Sequence, residues 1–572
     1  MDGAFSDGAD WSGGSVPGAG DNAILDAPGS PFTVTSATSK AVAGIQLAAN
    51  STLAITGGTF TASGGTNGGA NDGHISVRAG ATFATGGALA GGGGITLDGG
   101  AVLLQSNTTL TGGGTVALAY GAGPTYARIN GAGSVGLTNV NDTIAGAGRI
   151  GESAGFTFVN GTNGVVNANS SIFGQRLIIG YSTHASGAIV NNGLLEAGPA
   201  RYSTLPQLDI TCRSLSGAGG QIYAGAYGDV EIVGAQISGQ TFSTAAQGGI
   251  ALFSDQVAIT GTVADAGSLL LSQGEMTLGG GVTLTGGGGV YIDGGSQVSA
   301  GQRGATLTNI DTYISLSHSR LGGGGLSLIN EAAGTIDGSG FIAAGAAPIV
   351  NAGLIEAVAV GVLGNPQSLT IKGALENTGV IATGEHGTLI VEGAVTGSGS
   401  AVITSGGSGG GMIAFGAAFS EDVTFDQDGP TRQGLSGLGT LRLADSQDYC
   451  AAISGFSAKG LTALDLRDIG FVSAGEASFS GTSVEGVLTV SDGAHTARIT
   501  LIGNFTKTSF TAVGDGHGGT EVVAKRESVG AGAAGFVAAM ASLSSRPANA
   551  SIVGWTPPAH AATLMIPRAS LA

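Results

Sequence analysis

The sequence predicts an all-β chain, a parallel β-helix (β-solenoid) with a cap at each end. Three observations carry this reading. Gly supplies 110 of the 572 residues, about 19 % against an average near 7 %. Short alternating segments such as Leu53-Ala54-Ile55-Thr56, Ile95-Thr96-Leu97-Asp98 and Val282-Thr283-Leu284-Thr285 recur, each closed by Gly-Gly. Alternation of period two marks a strand with one buried face, and Gly supplies the backbone freedom of tight corners. Longer phrases also return in order: Leu137-Thr138-Asn139-Val140 as Leu307-Thr308-Asn309-Ile310, and Ile189 to Ala197 as Ile349 to Ala357. Such repetition is the signature of a stacked architecture. Coils about 4.8 Å apart place each corner against the next, which excludes bulky residues there. The handedness expected is right-handed, the usual hand of parallel crossovers.

Residues 1–48 differ from the rest of the chain. They hold Trp11, Pro17, Asp21-Asn22 and Pro28, with Phe32-Thr33-Val34-Thr35 as the first clear strand. A solenoid must cover its open end, and this segment is read as that cap. Residues 49–419 form the β-helix, with a duplicated block at about 95–260 and 268–419. Asn139, Asn191, Asn309 and Asn351 stand at equivalent points of the repeats and are expected to stack as amide ladders. From 420 to 525 the charge density rises, giving a C-terminal β module or the last coils plus a cap. Residues 526–572 read as a tail with a short helix.

Composition excludes several classes of function. Net charge is −18, from 38 acidic and 20 basic residues, with no basic cluster longer than Lys525-Arg526. Phosphate neutralisation needs a basic stripe, so no nucleic-acid partner is expected. The most apolar uncharged window, Val529 to Leu543, is mainly Gly and Ala and too short to span a bilayer. Met1 to Asp7 has neither a basic nor an apolar leader region. Cys212 and Cys450 lie far apart and are read as structural thiols.

Chemical signals are sparse. The seven His are dispersed, with no pair at metal-ligand spacing. Gly406-Gly407-Ser408-Gly409-Gly410 matches a nucleophile elbow in composition, but no helical pattern succeeds it. Gly514-Asp515-Gly516-His517-Gly518-Gly519 is a single near-match to a calcium-binding repeat, so Asp515 is the calcium candidate and no other cofactor is expected. Glu196, Asp209, Asp337 and Glu356 interrupt a mostly uncharged wall. A pair of them one coil apart would suit glycan hydrolysis, which needs two carboxylates about 5–10 Å apart. The recurrence of Glu196 as Glu356 argues against a single active site.

The opening Phe5-Ser6-Asp7, Trp11-Ser12-Gly13-Gly14, Val16-Pro17 and Asp21-Asn22-Ala23 resembles bacterial surface proteins of the autotransporter-passenger and β-strand-repeat type. So do the Leu-Thr-Asn and Asn-x-Gly-Leu-x-Glu-Ala phrases. Ile453 to Phe456, Leu464 to Ile469 and Asp515 to Thr520 resemble a C-terminal module of such proteins. The resemblance implies a secreted or surface-displayed protein with an adhesive or structural role. A terminal run of membrane-barrel strands is not expected, so export would use a separate machine. The expected function is a non-catalytic adhesive or structural rod that binds a cell-surface or extracellular glycan or protein. The alternatives are a β-helical polysaccharide hydrolase or lyase, and a self-assembling layer or filament subunit.

Overall fold

The computed structural model describes residues 2–121, 125–172, 174–180, 187–199, 207–343, 345–358, 367–405, 409–426 and 438–524. The expected tail, 526–572, and Gly406 to Ser408 lie outside them. Among the described residues the regular elements are strands, apart from one 3-10 turn at Gly8–Asp10. As far as Thr462–Leu466, parallel pairing joins strands on successive coils, so the chain is a parallel β-solenoid.

Each coil has three faces, here called A, B and C in chain order. One coil runs through Thr115–Ala119 on face A, Ala127–Gly131 on face B and Gly136–Asn139 on face C. It returns to face A at Thr143–Gly146, where Thr115 pairs with Thr143. Coil length varies: Asp229 pairs with Gly249 and Gly249 with Ser268, coils of 20 and 19 residues. Some strands turn a corner unbroken. Glu275–Thr285 pairs on face C through Leu278 and on face A from Gly280.

Alternate side chains point inward and stack coil on coil. Ile144, Val166, Leu195 and Ile222 form one such row on face A, all fully buried. Each is worth about 1.5–3 kcal/mol of burial, so repetition of the row is what holds the rod. The corners demand Gly for a different reason. Gly146 has φ +108°, and a Cβ there would lie 2.0 Å from the carbonyl oxygen of Leu118 on the preceding coil.

Two buried amide ladders pin the coils. In the first, Asn139 Nδ2 donates to Asn160 Oδ1 at 2.9 Å, and Asn160 Nδ2 to Asn191 Oδ1 at 2.9 Å. The second runs from Asn309 to Asn330, Asn351 and Asn377 at 2.9, 2.8 and 2.7 Å. Both begin alike. Asn139 Oδ1 accepts the Asp142 N–H and Asn309 Oδ1 accepts the Thr312 N–H, each at 3.0 Å. The four Asn expected to stack are all members. Asn160, Asn330 and Asn377 complete the ladders.

Aromatic rings close both ends of the core. At the N-terminus Phe5 lies edge-on between Trp11 and Phe60, with both centroids 5.0 Å away. Trp11 Nε1 donates to the Phe5 carbonyl at 3.0 Å. At the other end parallel coils continue through Gly439–Leu443, Ala452–Ser454 and Thr462–Leu466. Antiparallel strands then take over: Thr520–Ala524 pairs with Thr462–Leu466, and Ala477–Gly481 pairs with Glu485–Ser491. Phe456, Phe479, Phe505 and Phe510 pack beneath them.

Candidate functional site

Face B carries the chemistry. Its outward side chains form rows along the rod, because in-register parallel strands place equivalent positions one above another. Near the N-terminal end Arg128 and Arg149 are in register. Their guanidinium groups lie 4.9 and 4.1 Å from the centroid of the Tyr126 ring. Arg149 also pairs with Glu152 at 2.8 Å.

The same row continues from Arg149 through Ile178 to Asp209 and Glu231. Arg176 reaches Asp209 at 3.1 Å, and Gln207 Nε2 donates to Glu231 Oε2 at 3.0 Å. Asp229 stands beside Glu231 on the same strand. Burial, then the negative charges of Glu231 and Asp209, pushes its carboxyl up to about 6. Burial also raises Asp209, with Arg176 opposing.

After Glu231 the row passes Ala251 and Leu270 to Tyr291, then Ser315, Asp337 and Glu356. Asp337 and Glu356 are register partners on adjacent coils. Burial raises both carboxyls, and the neighbouring Asp337 adds to the shift of Glu356. The Tyr313 hydroxyl donates to Asp337 Oδ2 at 2.5 Å and opposes the shift of Asp337.

The four carboxylates singled out in sequence therefore divide. Asp337 and Glu356 come together. Asp209 shares their row but lies six coils away, about 29 Å at the usual strand spacing. Glu196 is on face A, where it accepts a hydrogen bond from Asn167 and pairs in register with Tyr223. The matching phrases Ile189 to Ala197 and Ile349 to Ala357 thus occupy different faces, so Glu196 and Glu356 are not equivalent in space. Asp229, Glu231, Tyr291 and Tyr313 were not singled out. Their sequence signal was a charged or aromatic residue at the outward position of an alternating strand.

Asp515 is engaged within the protein. It pairs with Arg467 at 2.7 Å and accepts the N–H groups of His517 and Gly519 at 2.6 and 2.8 Å. Among the described residues no group of three or more His, Cys, Asp or Glu could hold a metal ion. Cys212 is buried and Cys450 exposed, and both thiols are free. No described helix is long and apolar enough to cross a membrane.

No protein-family model matches the chain, and no curated protein matches it.

Proposed function

We propose that the protein is an extracellular or surface-displayed rod that recognises a cell-surface ligand through face B, without catalysis. The observation that carries this reading is the row of charged and aromatic outward side chains along face B, from Arg128 and Arg149 through Asp209 and Glu231 to Tyr291, Asp337 and Glu356. A rigid repeat scaffold presents such a row as one extended surface. Face B also carries the Tyr126 and Arg128 patch at one end and the Tyr291, Tyr313, Asp337 and Glu356 patch further along. Several weak contacts along one rod add through effective concentration. The likeness of the sequence phrases to autotransporter passengers supports the same role.

A second reading, glycan hydrolysis, is favoured by one observation: Asp337 and Glu356 are in register on adjacent coils with raised pKa values. End-to-end assembly is disfavoured by the aromatic plugs, which cover the apolar interior at both ends.

The test is adhesion of the full chain to bacterial and host cell surfaces. Face-B substitutions (Tyr313→Ala, Arg128→Glu) are compared with a face-C substitution, Thr138→Ala. The reading predicts loss of adhesion for the face-B variants alone. Equal adhesion by all variants would refute it, and release of reducing sugar from cell-wall polysaccharide would favour hydrolysis.

A further inference from the structure

The chemistry of the Tyr291 patch narrows the ligand. This inference rests on the recognition role of face B. Gly289 has no side chain, and a Cβ there would meet the Tyr291 ring at 2.8 Å. The ring therefore lies back against its own strand instead of standing out from it. Tyr313 is the register partner of Gly289, and its ring meets Tyr291 edge-on with centroids 6.1 Å apart. Tyr313 remains 37 % exposed.

Apolar surface adjoins the rings on one side. Leu270 points outward beneath Tyr291 yet is only 7 % exposed. Carboxylates adjoin them on the other. Asp337 is 8 % exposed, and its Oδ2 accepts from the Tyr313 hydroxyl. Glu356 stands on the next coil and is only partly buried. Its carboxylate offers acceptors beside the rings, with the Asp337 charge behind it.

We propose that Tyr291, Tyr313, Asp337 and Glu356 form a binding site for an uncharged or amino-bearing oligosaccharide. The apolar face of a sugar ring packs on the tyrosines and the Leu270 edge, as aromatic side chains with a polar tip favour. Hydroxyl or ammonium groups donate to the Glu356 carboxylate. Two neighbouring carboxylates repel an acidic sugar, so uronate-bearing chains are excluded by the same residues.

The experiment is calorimetric titration of the full chain with cellohexaose, a chitosan hexamer and hexagalacturonate. The neutral or the cationic hexamer should bind and hexagalacturonate should not. Tyr313→Ala and Tyr291→Ala should each weaken binding by about tenfold or more. Tyr291→Ala should unfold close to the parent, whereas Tyr313→Ala also removes the donor to the buried Asp337 Oδ2 and should unfold at a lower temperature. Tyr291→Phe, which keeps the ring, should stay within about threefold. The proposal is overturned if neither the neutral nor the cationic hexamer binds, if the acidic one binds best, or if the alanine variants bind as the parent does. Adhesion that survives periodate treatment of the target cells but is lost with Tyr313→Ala would overturn the sugar assignment and leave the role of face B standing. Adhesion indifferent to face-B substitution would remove that role itself.

Discussion

Gln240 reaches back two coils to Asn191. Asn191 Nδ2 donates to Gln240 Oε1 at 2.8 Å, and Gln240 Nε2 returns a bond to the Asn191 carbonyl at 3.1 Å. The intervening coil supplies Gly220, where a Cβ would lie 2.6 Å from both Asn191 Nδ2 and Gln240 Oε1. The second ladder ends by the same device. Asn377 Nδ2 donates to Glu421 Oε2 at 2.6 Å, and a Cβ on the intervening Gly399 would lie 2.2 Å from Asn377 Nδ2. A longer side chain thus satisfies the last amide where the next coil carries no Asn.

This relationship predicts the effect of a single methyl group. Gly220→Ala would place its Cβ 2.1 Å from the Asn191 carbonyl oxygen. The Asn191–Gln240 pair must part, leaving buried polar groups unpaired at about 1–3 kcal/mol each. Denaturant unfolding should show a loss of about 2–4 kcal/mol. Ala at Gly281, which like Gly220 has no positive φ and where nothing lies within 4 Å of the added Cβ, is the comparison without a clash.

The ladder interior should be as sensitive. Asn330 accepts from Asn309 and donates to Asn351, to Gly334 O and to Leu354 O. Asn330→Ala strands the Asn309 amide and the Asn351 carbonyl oxygen, a cost of about 2–4 kcal/mol. Amide hydrogen exchange should rise at both neighbouring coils and stay unchanged at the terminal caps.

Acid should stabilise the protein. Burial raises Asp255 to about 7 and Asp229 to about 6, and it also raises Asp265, Asp337, Glu356 and Glu421. Unfolded carboxyls titrate near 4. Between about pH 4 and 7 the folded chain therefore holds more protons than the unfolded one, and stability falls as pH rises. The melting temperature should be higher at pH 5 than at pH 8. Asp255→Asn should flatten that slope, because Asp255 accepts the Ala235 N–H at 2.5 Å and its other oxygen has no partner.

The N-terminal plug covers the end of the core. Phe5 is fully buried between Trp11 and Phe60. Phe5→Ala should cost about 3–5 kcal/mol and expose the first coil. Sedimentation should then show species that grow with concentration, while the parent keeps one size.

Strands were legible because alternation reports burial directly: Val282-Thr283-Leu284-Thr285 reads inward and outward as the structure has it. The ladders were partly legible. Asn139 and Asn309 share the phrase Leu-Thr-Asn, whereas Asn160 sits in Phe-Val-Asn-Gly and Asn377 in Leu-Glu-Asn-Thr. The common signal is only an Asn at an inward strand end before a short corner. Faces were not legible. Asn139 pairs with Asn160 after 21 residues, but Asn160 reaches Asn191 only after 31. With such drift, like phrases land on unlike faces, as Glu196 and Glu356 do. The grouping of Tyr291 and Tyr313 with Asp337 depends on the coils between them turning without long insertions, which no local pattern reveals.

The most direct test of recognition by face B is a hydrogen-exchange footprint of the full chain on cells to which it adheres. Protection should appear on the face-B strands Gly289–Asp293, Tyr313–Leu316 and Leu354–Ala357. The face-C strands Gly136–Asn139 and Thr157–Asn160 should be unchanged. Protection of face C with face B untouched would contradict the account.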